Sequence, residues 1–163
     1  MITIQETTKN DLLNIQALWA DGDVMKFVGF PEGLHETLES LERWIKRIES
    51  KRPLTNHYSV YENGTYCGEA FYAIDAAHGN SAALDIKLFK AARGRGIATQ
   101  ALSHAIDTAF ANGASCVWVD PNPANEKAIA LYERLGFECK PMPNYLIEPG
   151  EVPTSIYMEL IRR

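Results

Sequence analysis

The sequence has little cysteine. Cys67, Cys116 and Cys139 are an odd number without a C-x-x-C pair, which excludes a disulfide framework and a thiolate zinc site and fits a reducing compartment. It has no run approaching the ~18 apolar residues of a membrane span. Its opening residues, Met1-Ile2-Thr3-Ile4-Gln5-Glu6, lack the basic and apolar regions of a secretion signal. It has no positive excess either: the net charge is −5, so the broad cationic footprint of a nucleic-acid-binding protein is missing. His35, His57, His78 and His104 are scattered without metal-ligand spacing, and there is no repeat, linker or low-complexity tract. What is present, 163 residues with 46% hydrophobic and 23% charged, is enough for one buried core. The expectation is a single domain over residues 1–163, cytoplasmic, monomeric or homodimeric, without metal, nucleic acid or membrane.

Apolar periodicity orders the elements. Ile2 to Gln5 alternate as a strand, and Thr7 or Thr8 can cap a helix carrying Leu12, Ile15 and Leu18. Val24 to Pro31 is a short apolar stretch ended by proline, followed by an amphipathic helix with Leu38, Leu41, Trp44, Ile45 and Ile48. His57 to Tyr61 and Tyr66 to Ile74 read as strands joined by Asn63-Gly64, a two-residue hairpin signal. Ala82 to Phe89 is a further strand, leading to a helix with Ile97, Ala101, Leu102, Ala105, Ile106, Ala109 and Phe110, stopped near Asn112-Gly113. Cys116 to Val119, a helix over Ala124 to Leu135, and closing strands over Phe137 to Cys139 and Ser155 to Leu160 complete the chain. The antiparallel hairpin upstream and the strand-helix-strand-helix order downstream predict a mixed sheet in an α/β chain.

Two segments carry chemistry. In Arg93-Gly94-Arg95-Gly96-Ile97-Ala98 the backbone turns sharply into a helix whose first N–H groups lack partners. Such a turn can hold a phosphate or pyrophosphate, with Arg93 and Arg95 as further donors, or it is simply a glycine-rich helix start. Neither a G-x-x-x-x-G-K-[ST] loop nor a G-x-G-x-x-G fingerprint is present, so other nucleotide folds are unsupported. In the second segment Asn125, Ala128 and Tyr132 share one helical face, with a small residue between two polar ones. Asn125 could equally serve as an N-cap and Tyr132 as a core aromatic.

The turn, by Arg93, Gly96 and Ala98, resembles the R-x-x-G-x-G/A signature of the GNAT N-acetyltransferase superfamily. The second segment resembles that superfamily's N-x-x-A-x-x-x-Y-x-x-x-G-F helix, carried here by Asn125, Ala128, Tyr132, Gly136 and Phe137. The resemblance covers about Ala82 to Phe137. It implies the GNAT fold, a mostly antiparallel mixed sheet of six to seven strands flanked by about four helices, and acetyl-CoA as cosubstrate. It implies coenzyme contacts from Ile86 and Leu88, from Arg93, Gly94, Arg95, Gly96, Ile97, Ala98 and Thr99, and from Asn125, Ala128 and Tyr132. By the same likeness the amides of the turn hold the pyrophosphate, Asn125 binds the coenzyme arm, and Tyr132 protonates the departing thiolate.

The chemistry adds its own requirements. An amine attacks the thioester carbonyl, and a main-chain N–H such as that of Leu88 can meet the charge on its oxygen. A primary amine is mostly protonated at neutral pH, so a base must act, and Asp85 and Glu69 are the candidates. Each could instead be a surface carboxylate of an alternating strand. Asp120 to Glu138 and Leu84-Asp85-Ile86 resemble aminoglycoside 6′-N-acetyltransferases, whereas Val24 to Ile48 is equally similar to ribosomal-protein N-terminal acetyltransferases. The expectation is transfer to a small cationic amine; the alternatives are protein N-terminal acetylation and a non-catalytic acetyl-CoA-binding module. Trp19, Trp44 and Trp118 read as packing residues.

Overall fold

Asn63 and Gly64 take φ values of 50° and 82°, the paired left-handed conformation that a two-residue hairpin needs. The computed structural model, which describes residues 1–162, builds a seven-stranded sheet around that hairpin. Strands β1 (Ile2–Glu6), β2 (Thr55–Glu62), β3 (Thr65–Asp75) and β4 (Ser81–Leu88) pair antiparallel in sequence order. Helix α4 (Ile97–Ala111) then crosses over to β5 (Cys116–Val119), which pairs parallel with β4. The sheet closes with β7 (Met158–Leu160) and then β6 (Glu138–Cys139) at its edge. Helices α1 (Leu12–Ala20), α2 (Gly22–Met25), α3 (Leu38–Lys51) and α5 (Glu126–Arg134) complete the fold.

Strand alternation sends successive side chains to opposite faces. On one face Tyr58, Val60, Ala70, Tyr72, Leu84 and Leu88 meet Ile97, Ala101, Leu102, Ala105 and Ile106 of α4 in the larger core. On the other, α1 and α3 bury Leu12, Ile15, Leu41, Ile45 and Ile48, with Trp19, Trp44, Tyr66 and Phe71 packed against them. Each fully buried aliphatic side chain contributes about 1.5–3 kcal/mol of transfer free energy. The sheet is therefore held between two helical layers.

Where boundaries depart from the sequence reading, local hydrogen bonds decide them. Val24 to Pro31 is not extended: the Asp21 carboxylate accepts from the N–H groups of Asp23 and Val24, starting α2, and a 3-10 turn follows at Lys26–Val28. Among the described residues, that single-turn helix raises the number of α-helices to five. Thr8 and Asp11 form a capping box before α1. The closing strands shorten to Glu138–Cys139 and Met158–Leu160, and α5 starts at Glu126 because Asn125 caps it.

Candidate active site

The parallel pairing of β4 with β5 ends at Ala83 and Trp118, so β4 continues from Leu84 to Leu88 with a ladder partner on the β3 side alone. Phe89 N–H donates to Cys67 O at 3.0 Å, which makes Phe89 and Cys67 a hydrogen-bonded pair. By the alternation of an antiparallel ladder, the N–H and C=O groups of Ile86 and Leu88 therefore point away from β3, into the gap. Ile86 N–H is taken by Asp85 Oδ1 at 2.9 Å, and Leu88 O accepts from Arg93 Nη2 at 2.9 Å and from Nε at 3.2 Å. Leu88 N–H remains aimed at the gap.

Directly after this edge the chain makes the glycine-rich turn. Gly94 and Gly96 both sit at φ 79°, which residues with a side chain avoid, and the space beyond each missing Cβ is open. Among the described residues, the N–H groups of Gly94, Arg95, Gly96, Ile97, Ala98 and Thr99 donate to no protein acceptor, and Gln100 N–H is the first to bond back, to Gly96 O. This is a concave array of main-chain donors at the N-terminus of a fifteen-residue helix, suited to a pyrophosphate. The guanidiniums stand elsewhere. Arg93 ties the end of β4 to α2 through Asp23 Oδ2 at 2.9 Å, and Arg95 binds Glu62 Oε1 at 2.6 Å and Ala91 O at 3.2 Å. The open donors of this turn are thus its main-chain N–H groups, while the arginines brace it.

On the α1/α3 face the ladder sets ionisable residues in register. Ser59, Glu69 and Lys87 form one row across β2, β3 and β4, and His57, Phe71 and Asp85 form the next. Glu69 is enclosed, at 4% exposure. Trp19 Nε1–H donates to both its oxygens at 3.1 Å, His57 Nε2 lies 2.7 Å from Oε2, and Lys87 Nζ is 3.7 Å from Oε1. Burial opposes the Glu69 charge, but His57 and its hydrogen bond, Lys87 and Trp19 outweigh it and hold the carboxyl below its ordinary value. Lys87 also binds Asp85. Burial would discharge this lysine, yet Asp85 and Glu69 reverse the balance and raise its pKa.

Tyr132, on α5, is buried, and its ring packs on Phe137 at 5.6 Å. Among the described residues its hydroxyl has no hydrogen-bond partner. Burial, with the Asp85 and Asp120 carboxylates, pushes the phenol above its ordinary value, so it is protonated at neutral pH. Asp120 follows the last residue of β5, and the parallel register carried two residues past Ala83 and Trp118 sets it level with Asp85. Burial and the Asp85 charge push the Asp120 carboxyl up. Asp120 also lines a cavity of about 350 Å³ with Phe27, Val28, Asn122, Thr154 and Ser155. A second cavity of about 380 Å³, bordered by Glu62, Tyr66, Cys67 and Arg95, lies at the hairpin end, away from Tyr132.

A model of the acetyltransferase (GNAT) domain matches residues 2–138 of the chain. This protein belongs to the GNAT acetyltransferase family. It is an N-acetyltransferase, and the main-chain donors of Gly94 to Thr99 form an array that fits a pyrophosphate. Solved structures with the same fold include a spermidine N-acetyltransferase from Vibrio cholerae in complex with CoA and spermine, at 20% identity, TM-score 0.79, covering 98% of this chain and 95% of that one. A ribosomal-protein-alanine N-acetyltransferase from Brucella melitensis aligns at 21% identity and TM-score 0.79, over 98% and 99% of the two chains. An aminoglycoside acetyltransferase in complex with coenzyme A aligns at 19% identity and TM-score 0.75, over 99% and 95%. No curated protein matches the sequence.

Within this GNAT acetyltransferase the expected site residues fall into three groups. Ile86, Leu88 and the turn from Arg93 to Thr99 line the open edge of β4. Asn125 is the N-cap of α5, its Oδ1 accepting from Ala128 N–H at 3.3 Å, with Tyr132 one further turn along. Asp85 stands beside Tyr132 and Asp120, whereas Glu69 lies in a closed cage. The sequence reading did not single out Asp120, and it read Trp19 as packing and His57 as lacking metal-ligand spacing, whereas both also bind Glu69. The D-P turn at the end of β5 was the available signal for Asp120, but its nearness to Asp85 depends on a parallel register that no local pattern encodes.

Proposed function

We propose that this acetyltransferase modifies the primary amine of a small cationic molecule by direct attack on the thioester. One observation carries the reading: the Asp120 carboxylate lines a cavity of about 350 Å³ and lies next to Tyr132 and Asp85. An ammonium group entering that cavity meets the Asp120 carboxylate at its wall. Asp120 takes the proton, directly or through a water, because it borders the cavity and accepts from no side-chain donor among the described residues. Asp85 is a poorer base, since Ile86 N–H occupies one of its oxygens and Lys87 the other. Leu88 N–H meets the charge that develops on the thioester oxygen. Tyr132 donates a hydrogen bond to the departing sulfur. Its pKa lies above the ~8.5 of an ordinary thiol, so Tyr132 stabilises the thiolate better than it protonates it outright. The end of β4 left unpaired by β5, Leu84-Asp85-Ile86-Lys87-Leu88, offers no thiol or hydroxyl to carry the acetyl group, which favours direct transfer.

The test is a screen for thiol release from acetyl-CoA with polyamines, aminoglycosides and alanine-terminated peptides, followed by product mass. The proposal expects a small polyamine or aminoglycoside to gain 42 Da (one acetyl group in place of a hydrogen) and Asp120→Asn to slow that gain about 10²-fold. Acetylation of the peptides alone would replace it with protein N-terminal acetylation.

A further inference from the structure

The transfer chemistry leaves one enclosed carboxylate, Glu69, without a task. Its surroundings are built in detail. His57 uses both ring nitrogens, Nε2 on Glu69 and Nδ1 2.7 Å from Thr7 Oγ1, and Thr7 Oγ1 lies 2.8 Å from Ser59 Oγ. The Trp44 ring stands edge-on to the imidazole at 4.8 Å, and Trp19 edge-on to Trp44 at 5.2 Å. Thr7, His57 and Ser59 are buried, so this chain of side chains reaches no acceptor directly. What it does reach, through Glu69, is Lys87.

We propose that Glu69 is a positioning residue: anchored by His57 and Trp19, it tethers Lys87 so that the lysine ammonium stays on Asp85, leaving Asp120 as the carboxylate that takes the acceptor's proton. The catalytic consequence rests on the function proposed above; the charge arrangement does not. Two neighbouring carboxylates in similar surroundings share one proton and neither is a defined base. Placing a cation on one of them separates their roles. A lysine with a 13% exposed side chain would otherwise extend to water or lose its charge, and a fixed carboxylate on its other side prevents both.

The ionisable groups facing this arrangement come from every strand around it. Asp85 faces Lys87 of its own strand and Asp120 from the end of β5, and both carboxylates act on Tyr132 of α5; Lys87 faces Glu69 from β3; Glu69 faces His57 from β2. Trp19 of α1 contributes a donor that does not titrate.

The experiment is a pH titration of the aspartate carboxyl carbons by NMR in the full chain, with the Lys87 ammonium signal recorded alongside. In Lys87→Met the Asp120 midpoint moves up by about one pH unit, because the Asp85 charge is no longer offset by the lysine, and Lys87→Arg returns it. In Glu69→Gln the Lys87 ammonium signal, protected from exchange in the parent protein, broadens or vanishes; Trp19→Phe, which removes one donor and keeps the packing, weakens it in part and serves if the glutamine variant fails to fold. With an accepted amine, Lys87→Met moves the acidic limb of kcat/KM upward by the same amount and leaves acetyl-CoA affinity unchanged. An Asp120 midpoint that is the same with and without the lysine overturns the proposal, as does a Lys87 signal indifferent to Glu69→Gln. Because the titration needs no acceptor, a protein that acetylated only peptides would defeat the proposed function while leaving this arrangement standing.

Discussion

Replacing Tyr132 by phenylalanine separates the reaction from everything else the residue does. The ring packs on Phe137 and is buried with the larger core, and phenylalanine preserves that packing. The hydroxyl bonds to no described protein group, so its removal strands no partner, and stability should change by less than about 0.5 kcal/mol. The loss falls on the departing thiolate. A hydrogen bond to a charged group is worth about 1.5–3 kcal/mol, which converts to a fall of roughly 10- to 150-fold in kcat at 1.36 kcal/mol per decade. Since the raised pKa makes Tyr132 a hydrogen-bond donor more than a proton source, the effect should shrink for thioesters whose leaving thiol is more acidic. Thiol release under saturating acetyl-CoA measures kcat, and calorimetry measures coenzyme affinity, which should stay the same. Unchanged kcat in Tyr132→Phe would refute the role, and a matching loss of affinity would make the tyrosine a binding group.

Further consequences follow from the carboxylates and the sheet. Asp120→Asn should lower kcat/KM about 10²-fold and remove its acidic limb, while raising Tm, because the carboxyl's raised pKa means that the folded state disfavours its charge. Glu69 has the opposite sign: its lowered pKa gives stability that is present above about pH 4.5 and is lost as pH falls through the lower folded value, so Glu69→Gln should show a flatter denaturation profile below pH 4.5. At Gly68 a Cβ would stand 2.0 Å from Lys87 O and 2.8 Å from Leu88 Cα. Gly68→Ala should therefore cost about 3 kcal/mol in chemical denaturation and displace the very strand that presents Leu88 N–H.

Much of the fold was legible because its signals are local. Asn63-Gly64 marks a turn by its tolerance of positive φ, and the apolar spacing of α3 and α4 marks their buried faces without reference to the rest of the chain. The turn at Arg93 to Ala98 was legible for the same reason, since glycine placement and helix start are neighbours in sequence. The partners of its arginines were not legible, because Asp23 and Glu62, which bind them, are distant in sequence. The Trp19, His57 and Glu69 cluster was hidden for a related cause. Those residues are separated by up to fifty positions and meet because β2 and β3 pair in one register. Short pieces such as α2, β6 and β7 owe their limits to single capping or ladder bonds, which apolar patterning does not register.

The central claim is that the backbone donors of Gly94 to Thr99 hold coenzyme A. A calorimetric titration of the protein with acetyl-CoA tests it without an acceptor. The account predicts one-to-one binding in the micromolar range usual for enzyme substrates, weakened when the pyrophosphate is absent, as with acetylated pantetheine. Folded protein that binds neither, or binds both equally, would contradict it.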